Sequence, residues 1–320
     1  MITPLILIIT RDCNLRCDYC EVDKKKIQMT KRVAEKATLL YLDYIKNGGL
    51  NEAKIRFFGG EPLLQWDLIK RIVVFAKKES LERKLKISFD LTTNGLLLSN
   101  AKIRFFLKNP EIELIVSLDG DSLSQNLNRN FNEKNDSYKS IYNLRCDLAN
   151  LPNLTINMVI APNQAYKFYR NFNHIYELGF RRFNFLPAYF VFWPKKSLVF
   201  LKKGFSEILQ FMNKRNNISV KNMDVLSETP FFNQGIVIDC NGDIYHTNIF
   251  LSKHFKKLSD SLREGNILDD KLIALPGRKA GDAAKLIKNN TAPKLYYSTL
   301  KADSILSNFV LKLKNIYAKN

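Results

Sequence analysis

The sequence predicts an α/β fold, a partial (β/α)6 barrel followed by a small C-terminal α+β extension. Apolar, strand-like runs alternate with segments of helical periodicity over about the first 190 residues, which is typical of a parallel α/β protein. Beyond residue 190 this alternation stops and a hairpin sequence follows. We therefore predict a barrel core over residues 1–195 and an extension over residues 196–320.

Six apolar runs are the strand candidates of the core. In order they are LILIIT, KIRFFGG, ISFDLTTNG, IELIVSLDG, LTINMVIAP and RRFNFLPA. The polar or glycine-bearing clusters TRDC, GGEP, TTNG and SLDG each lie at the end of one of these strands. Because the carboxyl ends of parallel strands meet at one rim, where barrel enzymes place their catalytic residues, we expect the chemistry there.

Helical segments separate these strands. Thr30 is a candidate N-cap of the first helix, and Gly48–Gly49 end it. In the extension, GIVIDCNGDIYHT predicts a β-hairpin that turns at Asn241–Gly242. Further helices are predicted near 66–80, 99–108, 137–150, 166–178, 198–214 and 303–318.

Composition indicates a folded protein without a membrane span. The chain is 46% hydrophobic and 12% aromatic, which is sufficient for a large core. No window approaches about 18 uninterrupted apolar residues, and the start MITPLILIITRD lacks the features of a signal peptide. Five cysteines, three of them clustered, do not suggest a disulfide framework. We therefore expect a cytoplasmic protein with metal-ligating or reactive thiols.

The net charge of +19 has two interpretations. One is a polyanionic partner such as nucleic acid. The other is a general abundance of lysine, since the basic residues are dispersed and form no long tract. We favour the second interpretation, so nucleic acid is not the preferred partner, and no membrane partner is expected.

Cys13, Cys17 and Cys20 follow the first predicted strand with the spacing C-x3-C-x2-C. Three soft thiolates on one loop can ligate a metal together. Zinc would normally take a fourth ligand from a second Cys or His pair, which the remaining residues do not form. A four-iron cluster held by three cysteines leaves one iron open for a ligand. The spacing therefore favours an iron–sulfur cluster, while packing on one helix face is the alternative.

These motifs resemble the radical S-adenosylmethionine (radical SAM) superfamily. Its signature is C-x3-C-x2-C with an aromatic residue before the last cysteine, here Tyr19, on the loop after the first strand of a partial barrel. A second signature, Gly-Gly-Glu-Pro after the second strand, is matched by residues 59–62. The resemblance covers about residues 3–190. It implies one 4Fe-4S cluster on the three cysteines and SAM as cofactor, cleaved to a 5′-deoxyadenosyl radical that abstracts hydrogen from a substrate.

The resemblance also implies which residues contact SAM. Glu61 and nearby backbone carbonyls would accept hydrogen bonds from the methionine ammonium, and glycines would allow a close backbone approach. Polar residues that end the third and fourth strands would contact the ribose or carboxylate, although ordinary turns are the alternative for TTNG and SLDG. The implied SAM-binding residues are Tyr19, Gly59, Gly60, Glu61, Pro62, Asn94, Ser117 and Asp119.

The second half resembles, in degenerate form, the SPASM/twitch branch of sulfatase and peptide maturases. FNQGIVIDCNGDIYHT and GNILDD match its hairpin pattern, but Phe232 and Thr247 stand where cysteine ligands would be. We therefore expect no auxiliary cluster, which favours redox-neutral reactions. Cys240 and Asp239 are the candidate hydrogen donor and general base, with plain hairpin roles as the simpler alternatives. Cys146 is predicted to be a buried helical cysteine.

The resemblance predicts an enzyme that modifies a peptide or protein. An external electron donor of the flavodoxin or ferredoxin type is implied. Because the sequence opens on the first strand, a separate leader-binding protein is a further candidate partner. Two alternatives stay open: an RNA-modifying radical SAM enzyme, and a non-catalytic iron–sulfur scaffold.

Overall fold

The computed structural model confirms the α/β class and describes residues 3–129, 136–215, 217–224, 234–269, 272, 275 and 282–317. Strand sequences rich in Ile, Leu, Val and Phe form extended segments. The strands of the described part are β1 (Leu5–Thr10), β2 (Glu52–Gly59), β3 (Lys86–Thr93), β4 (Ile112–Ser117), β5 (Leu154–Ile160), β6 (Arg182–Pro187), β7 (Ser219–Val220), β8 (Gln234–Ile238), β9 (Asp243–Thr247) and β10 (Gly265–Asn266).

Helices connect the strands of the core and follow the hairpin. They are α1 (Lys31–Asn47), α2 (Trp66–Glu82), α3 (Asn100–Lys108), α4 (Ser122–Asn128), α5 (Ser137–Asn143), α6 (Arg145–Ala149), α7 (Phe168–Glu177), α8 (Lys195–Met212), α9 (Asp282–Asn290) and α10 (Pro293–Tyr317). The segment predicted as one helix over 137–150 is two helices, and α10 begins ten residues earlier than predicted. Within these described residues, no helix is both long and apolar enough to cross a bilayer.

The first helix begins and ends where the sequence predicts. The hydroxyl of Thr30 accepts a hydrogen bond from the amide of Val33 at 3.3 Å, which satisfies one of the free amides of the first turn. The helix ends at Asn47, and Gly49 has a φ of +70°, a conformation that glycine adopts without strain. These two signals fix the length of the α1 crossover that returns the chain to β2.

The described strands form one sheet with the order β10-β9-β8-β1-β2-β3-β4-β5-β6-β7. Neighbours from β1 to β7 are all parallel. Their carboxyl ends therefore share one rim, as the sequence predicts. The register pairs Thr10 with Gly59 and Ser117 with Asn157, so the polar clusters that follow these strands lie side by side.

Side-chain alternation gives the sheet an apolar and a more polar face. Along β2, Ile55 and Phe57 are buried in the main core, whereas Lys54 and Arg56 point the opposite way. Lys54 and Arg56 each pair with Asp90 of β3, at 2.9 and 3.1 Å. These charged side chains lie near the middle of the strands, which leaves the carboxyl rim for the cysteine loop.

The C-terminal hairpin continues this sheet. β8 pairs in parallel with β1 and antiparallel with β9. The predicted turn at Asn241–Gly242 is confirmed, and Gly242 has a φ of +92°. Strands from both sides of residue 195 belong to this one sheet, and α10 packs against α8 and β6. The division into domains at 1–195 and 196–320 therefore stays a prediction.

Candidate metal and cofactor site

The three cysteines lie on the loop between β1 and α1. All three are half-buried and none forms a disulfide. The amide of Cys20 donates to the carbonyl of Cys17 at 3.1 Å, and the amide of Asp18 donates to the carbonyl of Asn128 at the end of α4 at 2.8 Å. The loop is therefore anchored to the end of α4, and its cysteines remain partly exposed.

The thiols fit a cluster better than a single metal ion. Burial raises the pKa of Cys17 to about 11 and raises the pKa of Cys13, and the charge of Cys20 adds to both shifts. The three cysteines lie within eight residues of one loop. No three His, Cys, Asp or Glu side chains in the described ranges converge tightly enough for one ion, whose bonds to sulfur would be about 2.3 Å. A larger iron–sulfur cluster held by three thiolates satisfies both observations.

Gly59 and Gly60 pack the end of β2 directly against the cysteine loop. The amide of Gly60 donates to the Thr10 carbonyl and the amide of Glu61 to the Asp12 carbonyl, each at 2.8 Å. Gly59 has a φ of +133°, and a Cβ added to Gly60 would lie 2.0 Å from the Asp12 carbonyl oxygen. Only glycine permits this approach. The pair therefore sets the position of the loop that carries the cysteines.

Glu61 ties this turn to the end of β3. It is only 1% exposed. Its Oε1 accepts hydrogen bonds from the Leu63 amide at 3.0 Å and the Thr93 hydroxyl at 2.8 Å, and its Oε2 accepts one from the Asn94 amide at 2.7 Å. Burial raises the pKa of Glu61, although these three donors oppose the rise. Pro62 begins the short 3-10 turn that Glu61 caps, so the carboxylate is fixed in orientation at the rim.

Asn94 connects the end of β3 with the cysteine loop. Its Nδ2 donates to Oδ1 of Asn14 at 2.7 Å and lies 3.9 Å from the Sγ of Cys13. Its Oδ1 accepts a hydrogen bond from the Leu96 amide at 3.0 Å. The structure thus places Asn94 beside the first cysteine, and its contact with SAM stays a prediction.

Asp119, after β4, accepts hydrogen bonds from three separate parts of the chain. Arg129 donates to both carboxylate oxygens at 2.9 Å, the Tyr19 hydroxyl donates at 2.5 Å and the Val159 amide at 2.9 Å. Burial alone would lower the pKa of Arg129, but the Asp119 carboxylate raises it well above its usual value. Burial raises the pKa of Tyr19 well above its usual value. Asp119 therefore holds Tyr19, and with it the cysteine loop, against the carboxyl ends of β4 and β5.

Ser117 begins a row of polar side chains that crosses three strands. It pairs in register with Asn157 of β5, which pairs in turn with Asn184 of β6. The Nδ2 of Asn184 donates to Oδ1 of Asn157 at 2.7 Å. Ser117 and Asn157 are each 8% exposed. The row offers hydrogen-bonding groups just inside the rim, and a cofactor contact of Ser117 stays a prediction.

Asp239 and Cys240 lie in the hairpin turn and are both engaged. Asp239 forms a bidentate ion pair with Arg11. The Cys240 thiol donates to the Ile8 carbonyl at 3.1 Å, and burial raises its pKa to about 12. These contacts weigh against the catalytic roles, which stay predictions. Cys146 is exposed on α6, so the prediction of a buried cysteine is wrong, because this five-residue helix buries only Leu148.

Two buried arginines of the site, Arg11 and Arg129, were not predicted from the sequence. They are 7% and 5% exposed. Arg11 stands two residues before the first cysteine, so the loop itself contained a signal. Arg129 follows Asp119 by ten residues outside any motif, and only the fold brings the two together. Two positions of the extension carry other residues where the family pattern has cysteine ligands. Of these, Thr247 caps a 3-10 turn and Phe232 lies outside the described residues.

Comparison with known proteins identifies the family. The sequence model of the Radical SAM superfamily matches residues 7–168, about half of the chain. The chain therefore belongs to the Radical SAM superfamily, whose members are enzymes that use a 4Fe-4S cluster and S-adenosylmethionine. The resemblance predicted from the cysteine and Gly-Gly-Glu-Pro motifs is confirmed.

Relatives differ in how much of the chain they share. An uncharacterized protein of Methanocaldococcus jannaschii is 30% identical over 86% of this chain and 92% of its own length. A cysteine-type anaerobic sulfatase-maturating enzyme of Clostridium perfringens is 24% identical over 83% of this chain and 78% of its own. The radical SAM cyclopropyl synthase TigE of Paramaledivibacter caminithermalis is 31% identical over 154 residues. This match covers 43% of this chain and 31% of the length of TigE.

Solved structures share the fold. Native anSMEcpe with bound AdoMet and Cp18Cys peptide gives a TM-score of 0.69 at 20% identity, over 93% of this chain and 83% of that chain. Streptococcus suis SuiB bound to precursor peptide SuiA gives a TM-score of 0.57 at 18% identity, over 78% of this chain and 60% of that chain. The first match covers 93% of this chain, so the α/β architecture is shared well beyond the cysteine-bearing half.

Proposed function

We propose that this protein is a radical SAM enzyme that modifies a peptide or protein. The observation that carries the proposal is the convergence at one rim of three neighbouring thiols, the glycine pair that packs on their loop and the Glu61 network. The names of relatives that mature sulfatases, and solved folds that hold peptides, support the substrate class. A cytoplasmic location is part of the proposal, supported by the unpaired cysteines.

Each site residue has a proposed task. Cys13, Cys17 and Cys20 would hold the 4Fe-4S cluster, and the oriented carboxylate of Glu61 would accept hydrogen bonds from the methionine ammonium of SAM. When bound, the cluster supplies the electron that cleaves SAM to methionine and a 5′-deoxyadenosyl radical. Asp119 holds Tyr19 in place, so the loop has its conformation before SAM binds.

The outcome of the reaction is proposed to be redox-neutral. Cys240 is the one cysteine of residues 196–320, which is too few thiolates for a second cluster that could accept an electron; an external acceptor is the alternative. A rearrangement or an epimerisation needs no such acceptor. A hydrogen donor for epimerisation would have to reach the rim, whereas Cys240 is buried with its thiol on the Ile8 carbonyl.

The cofactor part of the proposal is tested by anaerobic reconstitution. Wild type should bind about four irons per chain, and with dithionite and SAM it should release 5′-deoxyadenosine, measured by mass spectrometry. The Cys13/Cys17/Cys20→Ala variant should lose both. Glu61→Gln should keep its iron but bind SAM about tenfold or more weakly, because a charged hydrogen bond is worth about 1.5–3 kcal/mol. A full cluster that never cleaves SAM would favour the scaffold alternative.

The substrate class is tested by enzymatic digestion of a heat-treated cell extract. The extract should stimulate 5′-deoxyadenosine release, and protease treatment beforehand should abolish the stimulation while nuclease treatment leaves it unchanged. The opposite pattern would replace the peptide substrate with RNA, the alternative that the +19 charge favours. An unchanged peptide mass together with solvent deuterium incorporation would support epimerisation.

A further inference from the structure

Basic side chains lie along the outer part of the cysteine loop. Two chain segments meet there: the amide of Asp23 donates to the Leu251 carbonyl at 2.7 Å, and Val22 forms an antiparallel bridge with Ser252. The segment from the C-terminal half thus extends the surface of the cysteine loop. Four exposed lysines of the loop and of this segment are here called the lysine patch: Lys25, Lys26, Lys253 and Lys256.

The lysine patch touches the backbone of a cluster cysteine. The Nζ of Lys253 donates to the carbonyl of Cys20 at 3.1 Å. Lys25 and Lys256 each lie 3.7 Å from the carboxylate of Asp23 and are 46% and 66% exposed, so their ammonium groups lie close together and face solvent. Asp23 offsets one of these positive charges. Glu21, which contacts His254 and Ser252, offsets a second. The patch therefore keeps a net positive charge.

The proposed function requires an electron from outside the chain, and the present inference rests on that function. Each SAM that is cleaved to methionine and 5′-deoxyadenosine without being re-formed consumes one electron. A protein donor would lose one electron and the cluster would gain it, with no atom or proton exchanged between the two proteins. Because electron transfer through protein weakens steeply with distance, the donor has to dock close to Cys20.

We propose that the lysine patch is the docking surface for a small acidic one-electron carrier protein of the flavodoxin type. Complementary charge steers two proteins into encounter and raises association rates by about 10- to 1000-fold at low ionic strength. Contacts between exposed charges are screened by salt. The location of the patch on the cluster-bearing loop favours a redox partner over a substrate.

The experiment compares two reductants on one reconstituted enzyme. The patch variant is Lys25/Lys26/Lys256→Glu, with the matching Gln variant in case charge reversal impairs folding. Lys195/Lys202/Lys203→Glu on α8 is the control, because these exposed lysines lie beside the β6 end of the sheet. Release of 5′-deoxyadenosine is measured with dithionite and with purified flavodoxin reduced by its NADPH-dependent reductase. Binding of flavodoxin to each holoenzyme is measured by biolayer interferometry over a salt series.

With dithionite, all variants should match wild type within about twofold. With flavodoxin, the patch variant should lose at least about tenfold in kcat/KM and in affinity at low salt, whereas the control should not. Equal flavodoxin binding by patch and control variants would overturn the inference. The patch variant could instead keep its kinetics with flavodoxin but, with dithionite as reductant, no longer be stimulated by peptide or RNA. That result would assign the patch to substrate binding. Failure of wild type with dithionite would reject the proposed function, and the binding series would still decide the docking surface.

Discussion

Arg11 of the cysteine loop forms a buried ion pair with Asp239 at the end of β8. The Nε of Arg11 donates to Oδ1 of Asp239 at 3.1 Å, and a second hydrogen bond joins Nη2 and Oδ2. The guanidinium also lies 5.2 Å from the ring centroid of Phe250. The pair ties the loop that carries Cys13 to the C-terminal hairpin, at the junction where β8 joins β1.

Replacing Asp239 with Asn should destabilise the protein strongly. The substitution keeps the side-chain shape but leaves Arg11 as a buried cation without its counter-charge, which costs about 3–5 kcal/mol. Urea unfolding gives the change in the free energy of unfolding. The control is Asp67→Asn, because Asp67 is 94% exposed in its contact with Lys70, and it should change stability by less than about 1 kcal/mol. Equal values for the two variants would show that the buried pair does not anchor the hairpin.

Tyr19→Phe and Asp119→Asn change the two ends of one hydrogen bond but should differ in severity. Tyr19→Phe leaves Asp119 paired with Arg129, so the expected cost is about 1 kcal/mol, with iron binding retained. Asp119→Asn leaves the buried Arg129 charge uncompensated, and the expected cost is about 3–5 kcal/mol. Thermal unfolding of the apo proteins measures both. A Tyr19→Phe effect as large as that of Asp119→Asn would mean that the phenol, rather than the Arg129 pair, fixes the loop.

Much of the fold and of the site was predictable because its signals are local. Apolar runs predict the strands of the core, and a polar cluster marks the end of several of them. Parallel pairing brings those clusters to one rim. Cys13, Cys17, Cys20 and Glu61 could be predicted as site residues because their motif spacing is specific. The pairing of β8 with β1 was not predictable, since alternation indicates a strand but carries no information about a partner more than 200 residues away.

Side-chain partnerships were harder to predict than positions. Gly59 and Gly60 were expected to admit the cofactor, which stays a prediction, and the structure shows a second reason for glycine there: an added Cβ would meet the carbonyls of Thr10 and Asp12. Asp119 was expected at the cofactor, and its oxygens are occupied by protein donors, with Arg129 foremost. A lone arginine just after a short helix carries no sequence signal, because only tertiary packing gives it a buried partner.

Asp303 on α10 should make stability depend on pH. Burial raises its pKa from 3.8 to about 6, although the hydroxyls of Tyr189 and Ser307 lower it in part. The folded state therefore prefers the protonated acid, so this contribution is complete below about pH 4 and is lost as the pH rises through 6. Asp303 is 7% exposed, and two pKa units correspond to about 3 kcal/mol.

The comparison of Asp303→Asn with wild type isolates this effect, because every other titrating group is common to both proteins. Asn keeps an oxygen for the Tyr189 hydroxyl and carries no charge. Relative to wild type, the variant should gain about 3 kcal/mol in the free energy of unfolding between about pH 4 and pH 7. Parallel stability curves over this range would show that the carboxyl is solvated in the folded state.

Gly60→Ala should weaken the cluster although residue 60 bears no ligand. Its Cβ would meet the Asp12 carbonyl oxygen at 2.0 Å, so the loop would have to move just before Cys13. Displacing the support of a metal ligand typically costs about 10- to 100-fold in affinity, and iron retention against a chelator should fall accordingly. Gly48→Ala is the matched control, because the nearest atom to its added Cβ is 3.2 Å away and its φ of −76° suits alanine. If both variants hold iron like wild type, the glycine pair does not position the cysteine loop, and the Gly-Gly-Glu-Pro turn serves SAM alone.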